Sequence, residues 1–141
     1  MIRVVVDPGV FISGLIGTRG GPPDVVVRAF VDEHISVVAS PALLAELEQV
    51  LRRPKFARYL DERTRREFVE RVRRQATIVE DCPDPPAVTR DHKDDYLVAL
   101  ALNEGVDAIV SGDRDLLDAG LETPAVWSPR DAANRITAQE R

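Results

Sequence analysis

Five short apolar runs, Ile2 to Val6, Ile35 to Ala39, Thr77 to Val79, Ala108 to Val110 and Pro124 to Trp127, alternate with stretches of helical character. Strands joined through helices must pair in parallel, because a tight hairpin serves only antiparallel neighbours. The pattern therefore predicts an α/β fold, a three-layer α/β/α sandwich with a mainly parallel central sheet. Local signals place the helices. Pro22 and Pro23 open a helix over Asp24 to Asp32, and Ser40-Pro41 supplies an N-cap and a first helical residue for Ala42 to Arg52. Gly9 to Ile16 reads as a short helix, and Pro54 separates Ala42 to Arg52 from helices over Phe56 to Leu60 and Asp61 to Gln75. Asp91 is placed to cap the apolar helix Asp94 to Asn103, which Gly105 stops. With 141 residues, one domain over 1–141 is expected.

The longest apolar stretches, such as YLVALAL, fall far short of the roughly 20 residues that span a bilayer. MIRVVVD enters a strand without the pattern of a signal peptide, so the cytoplasm is the expected location. Cys82 is the single cysteine, which excludes an intramolecular disulfide, and one thiol with two scattered histidines does not make a zinc site. A metal here would be held by oxygen.

A net charge of −5 argues against a polyanionic partner until its distribution is considered. Between Arg52 and Arg74 stand ten Arg or Lys and four Asp or Glu, a local balance of +6, against −11 for the remainder. A basic stretch beside an acidic centre suits an enzyme that grips nucleic acid and binds cations where it cuts. Arg65, Arg66, Arg73 and Arg74 are the candidate residues for binding a polyanion such as a nucleic acid. The plainer reading is a solvated helical face laced with ion pairs.

Functional crevices of open parallel sheets lie beyond the carboxyl ends of the strands. Asp7 and Asp113 both follow an apolar run, so both should project from that edge, although either alone also suits a helix N-cap. In ALLAELEQVL the apolar stripe is Leu43, Leu44, Leu47, Val50 and Leu51, with Glu46 and Glu48 on its opposite flanks. Periodicity does not choose between them. Asp94 and Asp95 are equally ambiguous, because the helix they open is apolar nearly all round. A carboxylate at the head of so buried a helix is costly without a cation, a hydrogen-bond network or a raised pKa.

The blocks VVVDPGVFISGL, SPALLAELEQVLRRPKF, RDHKDDYLVALALNEGVDAIVSGDRDLL and VWSPRDAANR resemble, in order and spacing, PIN-domain proteins of the toxin type from bacterial type II toxin–antitoxin systems. The third block is the most specific. The resemblance implies a metal-dependent endoribonuclease acting on single-stranded RNA, with catalytic acids at Asp7, Glu46, Asp95 and Asp113 and a fifth metal ligand at Asp115. It favours Glu46 over Glu48 and Asp95 over Asp94, leaving Asp94 a supporting role beside Ser111, the small hydroxyl residue that precedes the last acid by two. It also implies a homodimer silenced by a cognate antitoxin. Phosphodiester hydrolysis needs charge neutralisation and an activated water, which Mg²⁺ or Mn²⁺ on carboxylates supplies.

One departure stands out. The resembling proteins carry Asp-Thr-Asn or Asp-Ser-Asn at the first strand end, where this chain reads Asp7-Pro8-Gly9 and loses a hydroxyl and an amide. Ser13, one helical turn beyond Gly9, is placed to restore part of that polar support. The alternative reading is a catalytically weakened or inactive module of the same fold that binds RNA or antitoxin. Two other classes fit less well. A phosphoryl-accepting domain needs a lysine at a late strand end, and no Lys follows Lys93; an aspartyl-nucleophile hydrolase needs Asp-x-Asp, where Gly9 takes the second place.

Overall fold

The computed structural model describes residues 1–89 and 92–140. The chain runs β1 (Arg3–Val6), α1 (Pro8–Ile16), α2 (Pro22–Val31), β2 (Ser36–Ala39), α3 (Pro41–Leu51), α4 (Pro54–Ala57), α5 (Glu62–Gln75), β3 (Thr77–Ile78), α6 (Asp95–Glu104), β4 (Ala108–Val110), α7 (Arg114–Leu117), β5 (Ala125–Trp127) and α8 (Pro129–Gln139). The strands form one sheet in the order β3-β2-β1-β4-β5, with every adjacent pair parallel. Helices flank it. Val4, Val5 and Val6 of the central strand are buried, as a strand covered on both faces requires.

The strand order fixes where a site can form. From β1 the chain winds outward to β2 and β3, then crosses back to place β4 on the other side of β1. This reversal makes the β1/β4 boundary the switch point of the sheet, where the connections leave in opposite directions and open a crevice. The Asp7 N–H donates to the Val110 carbonyl at 2.9 Å, so the two strands are stitched together to their carboxyl ends.

Packing follows from the sequence at several points. Gly14 lets α1 approach α2, since a Cβ there would lie 2.4 Å from Val27 Cγ2 and 2.8 Å from the Pro23 carbonyl oxygen. Phe11 sits between Phe30 and Phe68, with ring centroids 5.7 and 5.6 Å away, and ties α1 to α2 and α5. Ser40 caps α3 through the Leu43 N–H, and Asp81 accepts from Ala42 N at the same helix start. Gly105 ends α6 in the left-handed region at φ 59°, where a Cβ is disfavoured.

Three expectations change. Pro54 does not merely separate helices but opens the four-residue α4, so the helix expected over Phe56 to Leu60 is displaced toward the N-terminus. The helix α8 was not anticipated, although Ser128-Pro129 carries the same cap-and-proline signal as Ser40-Pro41. It covers the sheet with Ala132, Ala133 and Ile136. Asp91, expected to cap the apolar helix, lies outside the described residues, and Asp94 is the N-cap residue of α6. Among the described residues no helix is long and apolar enough to cross a membrane.

Candidate active site

A cleft of about 580 Å³ opens at the switch point. Asp7, Pro8, Gly9 and Ser13 enter it from the β1 end and α1, and Glu46, Val50 and Arg53 from α3 and its end. Lys93 and Asp94 come from the approach to α6, and Gly112 and Asp113 from the turn after β4. Asp7 is held on both oxygens. Its Oδ1 accepts from Gly9 N at 3.0 Å and its Oδ2 from the Ser111 hydroxyl at 2.8 Å. Ser111 is fully buried, and its Oγ also accepts from Asp113 N at 3.0 Å, so one hydroxyl fixes the two strand-end acids relative to each other. Asp113 Oδ1 accepts from Asp115 N at 2.9 Å, while its Oδ2 meets Lys93 Nζ at 3.2 Å.

Asp94 is the acid that the fold treats least kindly. It is 4% exposed, and its Oδ2 has no hydrogen-bond partner among the described residues. Burial, a hydrogen bond shared with Asp113 and the negative charges of Asp7 and Asp113 push its pKa up to about 8, against the opposing pull of Lys93. Asp113 goes the other way. Burial pushes it upward, but the Asp115 N–H, the shared hydrogen bond with Asp94 and the Lys93 ammonium together hold its carboxyl below the usual range. The pair thus behaves as one site that shares a proton.

Asp95 does not join them. Its Oδ1 accepts from Val88 N at 3.1 Å and from both the N–H and the hydroxyl of Thr89 at 2.7 Å, and its Oδ2 pairs with His92 Nδ1 at 3.0 Å. Burial would raise its pKa, but these partners hold it below the usual range. The structure places the two acids differently: Asp95 binds Val88, Thr89 and His92 ahead of α6, and Asp94 lines the cleft. Glu46 receives the hydroxyl of Tyr96, whose own pKa is raised by burial and by that carboxylate. Glu48 lies elsewhere, paired with Arg52 at 2.9 Å.

The α5 arginines are likewise apart from the cleft. Arg65, Arg66 and Arg73 line a separate groove between α3 and α5 together with Glu48, Glu62 and Glu70, and Arg74 lies farther round α5. Arg66 pairs with Glu62 at 3.2 Å, Arg73 with Glu70, and Arg65 donates to the Leu60 carbonyl. Among the described residues the cations that line the cleft are Arg53 and Lys93.

A sequence model described as a PIN domain matches residues 3–115. The chain belongs to the PIN-domain family. It is 30% identical over 116 residues to an uncharacterised protein of Methanocaldococcus jannaschii, MJ1680, an alignment that covers 82% of this chain and 74% of that protein. Its fold is similar to the crystal structure of PAE2754 from Pyrobaculum aerophilum, with a TM-score of 0.66 over 99% of this chain and 91% of the other, at 14% identity.

A PIN domain is a nuclease-type fold, and nucleases of this family typically use divalent metal ions. Among the described residues no three His, Cys, Asp or Glu side chains are gathered as a finished metal cage. That arrangement is compatible with Mg²⁺, which keeps several waters and takes only one or two carboxylates with substrate phosphates. Among the described residues of this PIN domain the acids that line the cleft are Asp7, Glu46, Asp94 and Asp113. Asp115 contributes its N–H to Asp113, and its side chain is not part of the cleft lining. Sequence reasoning missed Lys93, Arg53 and Tyr96. The signal for Tyr96 was available, since a hydroxyl inside an otherwise apolar helix needs a partner.

Proposed function

We propose that this PIN domain is a metal-dependent endoribonuclease that hydrolyses phosphodiester bonds of single-stranded RNA. The observation that carries the reading is the buried Asp94 carboxylate, whose Oδ2 has no donor among the described residues while Asp7 and Asp113 add charge of its own sign. Such a group is costly unless protonated or given a cation. The donor set is all oxygen, which suits Mg²⁺ or Mn²⁺. When bound, the ion supplies charge neutralisation at the phosphate and activates water.

The side chains divide the remaining work. Asp7 and Asp113, oriented through Ser111, and Asp94 from the other wall hold the ion directly or through water. Glu46, steadied by Tyr96, orients the attacking water. Arg53 and Lys93 draw the phosphate backbone into the cleft. Arg65, Arg66, Arg73 and Arg74 serve flanking phosphates, a smaller role than their number suggests because Arg66 and Arg73 already have acidic partners. The binding-only alternative drew on Pro8 and Gly9. Asp7 nevertheless has a donor on each oxygen, one of them the Gly9 N–H, so the departure leaves the leading acid supported.

The toxin role, the homodimer and the antitoxin rest on the resemblance of the sequence blocks. Cleavage of single-stranded RNA with Mg²⁺ or Mn²⁺, abolished by EDTA, is the deciding assay. Asp94→Asn should suppress it at unchanged fold, measured by circular dichroism. Absence of cleavage with either metal, or full activity in Asp94→Asn, would sink the reading.

A further inference from the structure

The acids of the cleft are not left bare: a lysine from the chain itself occupies one of the oxygens that a metal ion would need. Asp113 Oδ1 accepts from the Asp115 N–H, and Lys93 Nζ stands 3.2 Å from Oδ2. Both oxygens of Asp7 carry donors, and Asp94 Oδ2 is buried without one. The Lys93 side chain is 57% exposed and unbranched, whereas that of Asp113 is 22% exposed. An unbranched, exposed side chain can swing aside by rotation about its own torsions. An ammonium is a compact point charge on a flexible stem, suited to such exchange.

Building on the metal-dependent reading above, we propose that Lys93 is an exchangeable counter-cation that neutralises Asp113 in the metal-free cleft, yields Oδ2 to an incoming divalent ion and so sets the affinity of the site for it. A divalent ion at Oδ2 and the Lys93 ammonium beside it repel each other, and the positive charge opposes the ion even after Lys93 has swung aside. Lys93 acts here as a positioning residue for charge.

Calorimetric titration of the EDTA-stripped protein with Mn²⁺ at low ionic strength tests this, comparing wild type with Lys93→Met and Lys93→Arg. Lys93→Met should bind Mn²⁺ about tenfold more tightly, with the gain shrinking as salt is added, and Lys93→Arg should stay near wild type. Lys93→Gln, which also removes the charge, replaces Lys93→Met if the latter fails to fold by circular dichroism. Binding by Lys93→Met where wild type shows none supports the proposal equally. Equal or weaker binding by the neutral variants, with wild type binding Mn²⁺, overturns the role of Lys93 alone. No binding by any of these proteins overturns the metal-dependent reading together with it.

Discussion

Asp94→Asn should stabilise the metal-free protein at pH 8 while removing its catalytic activity. The pKa of Asp94 rises from 3.8 to about 8 in the fold, so the native state retains a proton that the unfolded chain has released. Its contribution is fully present below the unfolded pKa and is lost as pH rises through the folded one. Wild type in EDTA should therefore lose stability steadily from about pH 4 to pH 8. At roughly 1.4 kcal/mol per unit the isolated shift would imply a loss of about 6 kcal/mol. That is an upper bound for a proton shared with Asp113, and about 2 kcal/mol, in the usual range for a single substitution, is the working figure. Asparagine keeps the shape, carries no charge and can donate toward Asp113. For a chain of this size the gain corresponds to about 6 °C at pH 8 and little at pH 5. Thermal denaturation by circular dichroism in EDTA at the two pH values measures it. Adding millimolar Mn²⁺ should raise the wild-type midpoint and move the variant less. A wild-type midpoint flat across this range in EDTA, or a less stable variant at pH 8, would refute the argument that the buried carboxylate is under electrostatic load.

Asp95→Asn should cost about 1–3 kcal/mol in urea denaturation, because donors from Val88, Thr89 and His92 lose their carboxylate. Its effect has the opposite pH sign to that of Asp94: with the folded pKa lowered, the stabilisation is present at neutral pH and lost as pH falls below 3.8. Gly14→Ala should destabilise by about 1–3 kcal/mol, since the new methyl meets Val27 and the Pro23 backbone, and a larger α1–α2 separation would be needed to hold it. Tyr96→Phe should slow RNA cleavage by roughly tenfold with a smaller loss of stability, by freeing Glu46 from its donor; unchanged cleavage kinetics would remove the Tyr96 contact from the mechanism.

The elements were legible in the sequence because their causes are local. β-branched runs, Ser-Pro helix starts and Gly105 act over a few residues, and a parallel sheet follows from strands separated by helices. The meeting of Asp7 and Asp113 was legible for the same reason: both follow strands whose carboxyl ends must share an edge. Two other choices were not local. Asp94 and Asp95 are neighbours at a helix start, where the side chains diverge, and only the path of the segment carrying Val88 and Thr89 decides which one it captures. Glu46 and Glu48 flank one apolar stripe, and the elements packed beside α3 send one to Tyr96 in the cleft and the other to the α5 side. The arginine-rich helix made the same point in reverse. Its charge was plain in the sequence, but ion pairs at one helical turn absorb part of it, and among the described residues the cations that line the cleft are Lys93 and Arg53, brought there by tertiary packing.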